Sequence, residues 1–412
     1  MNLMYFVPFW PHRYTPFLFR EVAWMRGRGH RVAVVSMRQW EDGQSNVVQY
    51  GLTDVPVLQV RHRRAGDRAL VADAVSLVGG GMRGRPPKPW RQMRSALGLR
   101  QGVHEWVWAK KISAFARRHG ADVVDAHWMS EAAAAARVLK ETHGVPYTVT
   151  SHGGDLTSPG LQPIVESASA VCLVSNHLKS QFIGGMADPN WPTIPTRVSF
   201  DVAKVRVRPH GLPLSACAQT PHPVGSRLVV AVTGRLDPQK CPLDLVEAVG
   251  RLTPEFPNLH VMFIGGGMLE ADIRRRAEQL GFAERLTVTG GLPWDEVIAR
   301  LREATIYCQT SQWEGFGVAT LEAASQGLPA VVSRTGAHAE IVLHGQTGFV
   351  YEPQDVEGLT TSLRRLLADP ALREEMGRAA LEHVRANFVF EDFMPRVERM
   401  LEAVANGRPL PE

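Results

Sequence analysis

The sequence predicts an α/β protein built of two tandem doubly wound domains facing each other across a cleft. Three observations carry this. The chain has 412 residues, too many for one ordinary core and enough for two domains of roughly 200 residues each. Short β-branched apolar runs alternate with amphipathic helical patterns from end to end, the mark of parallel strands joined by crossover helices. Between the two series stands "RPHGLPLSACAQTPHPVGS", rich in Pro, Gly and small residues, which reads as a linker.

In the first half, strands are expected at "LMYFV", "HRVAVVS", "VPVLQV", "DVVDA", "YTVTS", "AVCLVS" and "KVRVRP". The helix "PFLFREVAWMRGRG" starts on a proline, whose missing N–H costs nothing in a first turn, and it stops at glycine. The second half repeats the theme with "RLVVAVTG", "LHVMFIGG", "RLTVTG", "TIYCQT", "PAVVS" and "GFVYE", separated by helical stretches such as "PLDLVEAVGRL" and "WDEVIARLREA". These patterns divide the chain into an N-terminal domain over 1–212 and a C-terminal domain over 213–390. A last helical stretch within 391–412 has no strand after it and is free to pack elsewhere.

Composition narrows the classes. Residues 1–200 carry 24 Lys+Arg against 14 Asp+Glu, which leaves 22 against 27 for the remainder. The densest basic run, from Arg83 to Arg118, suits phosphates, an anionic acceptor or weak peripheral contact with a membrane surface. No nucleic-acid recognition motif accompanies the basic excess, so no nucleic-acid partner is expected. The cysteines Cys172, Cys217, Cys241 and Cys308 lack CxxC spacing, which argues against a zinc site or a disulfide framework and fits a reducing compartment. The N-terminal "MNLMYFVPFWPHRY" has no basic n-region, and no run of 18 apolar residues occurs, so a cytoplasmic location is expected.

Ligands in open α/β sheets bind at the carboxyl ends of strands, so the chemistry belongs on the loops that follow them. After "VVAVTG" come Arg235 and, past "LDPQ", Lys240, two cations at a strand-to-helix turn. Together with a helix N-terminus they make an anion site able to hold a diphosphate. Three strands later "IYCQTSQ" leads into "WEGFG" and the helical "VATLEAASQ". The backbone N–H groups of Phe316, Gly317 and Val318 would then point toward the same phosphates. Glu314 in the turn and Glu322 on the helix are carboxylates among apolar neighbours. A carboxylate is a bidentate acceptor for vicinal hydroxyls, so Glu322 suits a ribose diol and Glu314 sugar hydroxyls.

The pattern GR-x4-K followed by E-G-F-G-x4-E resembles the retaining nucleotide-sugar glycosyltransferases of family 4, which have two Rossmann-like domains in the GT-B arrangement. The resemblance covers nearly the whole chain. It implies that Arg235 and Lys240, with Gly234 beside them, serve the donor diphosphate, that Glu314 contacts the donor sugar, and that Glu322 holds the ribose. "SRTGAHAEIVLHGQTGFVYEP" is similar to the family's G-G-x-x-E segment, with Thr335 where the first glycine is usual. "HGGD" after "YTVTS" is similar to the family's H-G-x-D, which makes His152 a sugar contact and Asp155 a partner on the acceptor side. The family's last helix commonly crosses back to the first domain. The family's Gly-Gly loop after the first strand is replaced by "PFWPHRYTPF", so Phe9, Trp10, His12, Arg13 and Tyr14 are expected to hang over the cleft as acceptor contacts. A subset with P-x-x-(S/T)-x-x-F-x-x-x-E at this place is echoed by Thr15, Phe17 and Glu21.

The expectation is therefore a hexosyltransferase that moves a sugar from a UDP- or GDP-hexose, UDP favoured, to a small-molecule or glycan acceptor in natural-product or cell-envelope biosynthesis. No cofactor and no metal are expected; retention proceeds by front-face attack. The alternatives are a GT-B phosphorylase, a sugar-nucleotide epimerase, or an inactive carbohydrate-binding protein.

Overall fold

The computed structural model describes residues 1–12, 15–39, 42–61, 101–157, 160–184, 200–219 and 228–411. Arg13, Tyr14 and residues 83–100 of the basic run lie outside the described residues.

Each apolar run becomes a strand: β1 Asn2–Trp10, β2 Arg31–Gln39, β3 Val57–Arg61, β4 Val123–His127, β5 Tyr147–Ser151, β6 Ala170–Leu173 and β7 Val205–Val207 in the first half. The second half adds β8 Val229–Thr233, β9 His260–Ile264, β10 Leu286–Val288, β11 Ile306–Gln309, β12 Ala330–Ser333 and β13 Gly348–Tyr351. They form a seven-stranded sheet in the order β3-β2-β1-β4-β5-β6-β7 and a six-stranded sheet in the order β10-β9-β8-β11-β12-β13. Every recorded pairing is parallel. Strands β4, β5, β8 and β12 are buried along their whole length, as central strands covered on both faces must be. In each sheet the order reverses between two strands, β1/β4 and β8/β11, and loops diverge there to leave a crevice.

Strand β1 outlasts the expected "LMYFV". Its pairing with β4 ends at Phe6↔Ala126, while pairing with β2 continues to Trp10↔Gln39. Beyond Phe6 only one edge of β1 is bonded, so Pro8 is tolerated. The helix α1, Pro16–Gly27, starts on its proline and is followed by Gly29 at φ +85°. Further helices that position functional side chains are α2 Glu131–His143, α3 Asn176–Gly184, α4 Pro242–Leu252, α5 Trp294–Leu301, α6 Val318–Ser325 and α7 Phe390–Ala405. The second sheet is packed by Leu245, Val249, Phe263, Cys308, Val331 and Leu363, all buried.

The chain divides into two compact units: Met1–Leu173, Ile194–Arg208 and Met394–Glu412 in one, Val174–Thr193 and Pro209–Phe393 in the other. Most of α7 therefore belongs to the first unit, where His30 and Arg28 hold Glu398 at 2.7 and 3.3 Å. The start of α3, placed by sequence in the N-terminal domain, belongs to the second unit. There the backbone N–H of His177 donates to Glu340 at 2.8 Å, and Asn176 does so through backbone and side chain at 3.1 and 3.0 Å. No helix among the described residues is long and apolar enough to cross a membrane.

Candidate active site

The second unit brings four of the expected residues onto neighbouring loops. Gly234 follows β8 and its N–H donates to the carbonyl of Ile264 at 3.1 Å. Arg235 follows, largely exposed, with Nε 3.1 Å from Asp237 and an Nη donating to Gln239 at 3.3 Å. Lys240 closes the short 3₁₀ turn Pro238–Lys240, and its Nζ is bonded to Glu314 Oε1. The two loops are laced together: Gln312 N donates to the Gln239 carbonyl at 2.8 Å, and Thr310 Oγ1 to that of Lys240 at 2.8 Å.

Glu314 is 8% exposed and would be costly there without compensation. Ser311 Oγ donates to it at 2.7 Å, and behind Ser311 a buried series runs from Tyr307 to Gln309 at 2.7 Å and from Gln309 to Ser311 at 2.9 Å. Burial pushes the Glu314 carboxyl up, but the charge of Lys240, aided by His338, outweighs it and holds the group below its usual range.

Gly317, at φ +97°, caps the start of helix α6 and offers no side chain to it. The first-turn N–H groups of α6 point out of the helix start, where they can donate to an anion. Phe316 is buried between His210 and Phe388, ring centroids 5.3 and 5.9 Å away, and Val318 is the first helical residue. A Cβ on Gly317 would lie 2.8 Å from His338, whose ring is fully buried and whose Nδ1 sits 2.9 Å from the Ser333 carbonyl. Glu322 lies on the same helix, nearly buried, and accepts from the indole Nε1 of Trp294 at 2.7 Å.

The G-G-x-x-E segment takes a different register from the one expected. Glu340 supplies its carboxylate, which puts Gly336, not Thr335, at the first glycine position. The backbone enforces this: Gly336 has φ +51°, and a Cβ there would stand 2.1 Å from the Glu314 carbonyl oxygen. Ala337 takes the second glycine position.

In the first unit His152 follows β5, with its ring against Trp128 and Phe17 at 4.2 and 5.1 Å between centroids. Its Nε2 is 3.1 Å from Nδ1 of His127 at the end of β4. Behind His127 lies a buried ionic group: Arg208 donates to Glu21 at 2.5 Å and to Asp125 at 2.9 Å. Burial works to raise the Asp125 carboxyl, and Arg208 more than offsets it, so the group is held well below the ordinary carboxylate range. Trp128 adopts φ +65°, an uncommon backbone for a bulky residue, at the strand exit beside His152.

Two expected acceptor contacts have other duties. Trp10 is a core residue, 2% exposed and stacked on Phe19 at 4.3 Å, because β1 extends through it and turns its side chain inward. The Asp155 carboxylate is spent on the protein itself, accepting from Met129 N at 2.5 Å, Ser151 Oγ at 2.8 Å and His152 N at 3.1 Å. It positions His152 and does not reach outward. His12 is half-buried, its ring 5.6 Å from Phe9. Sequence reasoning missed His127, Arg208, Ser311, His338 and Trp294. The strand-end histidine in "DAHW" and the serine three residues before Glu314 were visible signals, whereas the partners of Trp294 and His338 exist only in three dimensions.

Comparison with known proteins is consistent with this arrangement. Residues 219–383 match the family described as glycosyl transferases group 1, and residues 15–190 match the glycosyl transferase 4-like domain. The GDP-mannose-dependent alpha-(1-6)-phosphatidylinositol monomannoside mannosyltransferase of Mycolicibacterium smegmatis is 29% identical over 294 residues, 68% of this chain and 74% of that protein. The lipopolysaccharide core biosynthesis mannosyltransferase LpcC of Rhizobium leguminosarum is 36% identical over 170 residues, 41% of this chain and 45% of that protein. Among solved structures, Anabaena HepE in complex with UDP and glucose matches with TM-score 0.72 and 16% identity, over 98% of this chain and 100% of that one. Sucrose-phosphate synthase from Thermosynechococcus elongatus matches with TM-score 0.71 and 16% identity, over 99% and 100%. At these identities the two structures speak for the fold, which is GT-B.

Proposed function

The chain belongs to the family 4 glycosyltransferases, and from that premise we propose that it transfers a hexose from a nucleoside diphosphate sugar to a glycan or polyol acceptor with retention at the anomeric carbon. The observation that carries this reading is the set of groups on the second unit's loops: Arg235 and Lys240 beside the start of α6, with Glu314 and Glu322 flanking it.

As the glycosidic bond to the diphosphate breaks, negative charge grows on the leaving oxygens. Arg235, Lys240 and the N–H groups of Phe316, Gly317 and Val318 stabilise that charge more in the transition state than in the ground state, which is what lowers a barrier. These fixed positive groups supply the stabilisation that a divalent ion supplies elsewhere, so turnover needs no added metal. Glu314 stays ionised through its bond to Lys240 and accepts from sugar hydroxyls; Glu322 accepts from the ribose diol; His152 contacts the sugar. Lys240 and Ser311 both hold Oε1 of Glu314, which suits a binding group better than a nucleophile; attack then proceeds on the face the diphosphate leaves, and the departing phosphate takes the acceptor's proton.

Among donors GDP-mannose comes first, because relatives that overlap about two thirds of this chain are named as GDP-mannose-dependent, and this replaces the preference for UDP. Relatives named for phosphatidylinositol mannoside, lipopolysaccharide core and inositol 3-phosphate favour a cell-envelope or polyol acceptor over a natural product. The test is the anomeric configuration of the product by proton NMR. The donor's α configuration should be kept, and a β product would refute retention.

A further inference from the structure

His338 opens the short helix His338–Ile341, and its ring is wholly buried. Its Nδ1 stands 2.9 Å from the Ser333 carbonyl, which can only accept, so this nitrogen carries the ring's proton and donates it. The neutral ring then keeps its lone pair on Nε2. That atom is buried without a hydrogen-bond partner among the described residues. A buried polar atom left unpaired costs free energy, so its position calls for a reason.

That position is the start of α6. A Cβ on Gly317 would stand 2.8 Å from Cδ2 and 3.0 Å from Nε2 of His338, so it is the missing side chain at 317 that lets Nε2 come up against the helix end. Two charged groups act on the ring. Glu314, from the loop ahead of α6, favours the imidazolium, and Lys240, from the loop after β8, opposes it. Glu340, on the same short helix as His338, is turned to α3, where it holds Asn176 and His177. Burial is the strongest influence and keeps the ring below the usual histidine range. Lys240 answers the Glu314 charge, which leaves little net negative charge to support a buried imidazolium.

A diphosphate at this helix end would tip that balance. It brings a pair of negative charges to a place where water screens poorly, and a buried neutral base beside it responds by binding a proton. Arg235 is largely exposed and Lys240 is already bonded to Glu314, so part of the new charge is left for His338 to answer. Once protonated, Nε2 becomes a donor at the helix end, while Nδ1 keeps its bond to Ser333. We infer that His338 is a further member of the diphosphate site, taking up a proton at Nε2 when a nucleoside diphosphate sugar docks at the start of α6. The proton comes from solvent and returns to it when the nucleotide leaves. The inference rests on the reading of α6 as the diphosphate-binding helix end.

Isothermal titration of GDP-mannose and UDP-glucose into the wild-type chain and His338→Asn, at about pH 7 in buffers of different ionisation enthalpy, counts the protons taken up on binding. Neither ligand has a group that titrates near neutrality, so the protons are the protein's. Asparagine keeps an N–H for the Ser333 carbonyl and removes the second ring nitrogen. Because the bound ring holds its proton more tightly than the free one, affinity rises as pH falls through the bound-state value and levels off above it. Wild type should take up a fraction of a proton with its preferred donor and bind it about threefold or more tighter at about pH 6 than at about pH 8. In His338→Asn the uptake should vanish and the affinity ratio should fall to about one. No uptake in wild type, or equal uptake in both chains, would overturn the role of His338 while leaving the donor site standing. Failure of wild type to bind either nucleotide sugar would overturn the donor reading and the inference with it. Should His338→Asn not fold, judged by circular dichroism, nitrogen NMR of the histidine rings puts the same question to wild type. A ring protonated at Nδ1 alone should become an imidazolium when the donor is added, and spectra in which no ring changes protonation would overturn the inference.

Discussion

Asp155 shows how a residue can be found for the wrong reason. Its place in "HGGD" marks it as part of the site, yet its oxygens hold the loops of β4 and β5 together through Met129, Ser151 and His152. Asp155→Ala strands those donors in a buried place, and should lower stability by about 2–5 kcal/mol, read as a fall in Tm. Lys240 and Glu314 make a second residue-scale case. The folded-state pKa of Glu314 lies below its ordinary 4.5, so the pair's stabilisation is present above the unfolded value and is lost as pH falls through the folded one. Lys240→Met leaves the carboxylate buried without its cation, at a cost of about 3–5 kcal/mol at neutral pH. The deficit should shrink below the ordinary pKa of 4.5, where Glu314 takes up a proton and loses the charge; a deficit independent of pH in urea titrations would contradict this. The spacing of Arg235, Lys240, Glu314 and Glu322 was legible in the sequence because each sits at a fixed offset from a glycine turn. The burial of Trp10 was not: "PFW" reads as a loop until one sees that β2 keeps pairing with β1 through that residue.

At the level of elements, the thirteen strands among the described residues and their parallel pairing follow from β-branched runs bounded by turn residues, and the sequence patterns place each of them. What the patterns omit is contact between elements. Nothing in "SRTGAH" says that His338 fills the space beside Gly317, or that Gly336 must lie against the Glu314 carbonyl. Gly317→Ala tests the element that matters most. It puts a Cβ at a φ of +97° and 2.8 Å from His338, so the start of α6 must shift. The change should cost about 1–3 kcal/mol of stability. It should also weaken nucleoside diphosphate binding, both measured by thermal melts with and without ligand. A variant as stable and as tight as wild type would mean that the geometry of this helix end is unimportant.

For the whole molecule, the tandem repeat of one topology was written in the alternation of strand and helix patterns, and the two sheet orders agree over six strands, the first adding β7 at its edge. Membership of the units was less legible. The start of α3 leaves the first unit because Glu340, far along the chain, offers acceptors to Asn176 and His177. The last helix is counted with the first unit because Met394, Val397, Met400 and Leu401 are buried and Glu398 meets His30. Such pairings join distant segments and leave no periodic trace in sequence. The central claim is that Arg235, Lys240 and the end of α6 activate a nucleoside diphosphate sugar, and the most direct measurement is nucleoside diphosphate release from GDP-mannose and UDP-glucose, followed by phosphorus NMR with a panel of polyol and glycan acceptors. Wild type should release the nucleoside diphosphate from at least one donor, and Arg235→Ala should be slower by about two orders of magnitude or more. Release from neither donor, or equal rates with Arg235→Ala, would contradict the claim.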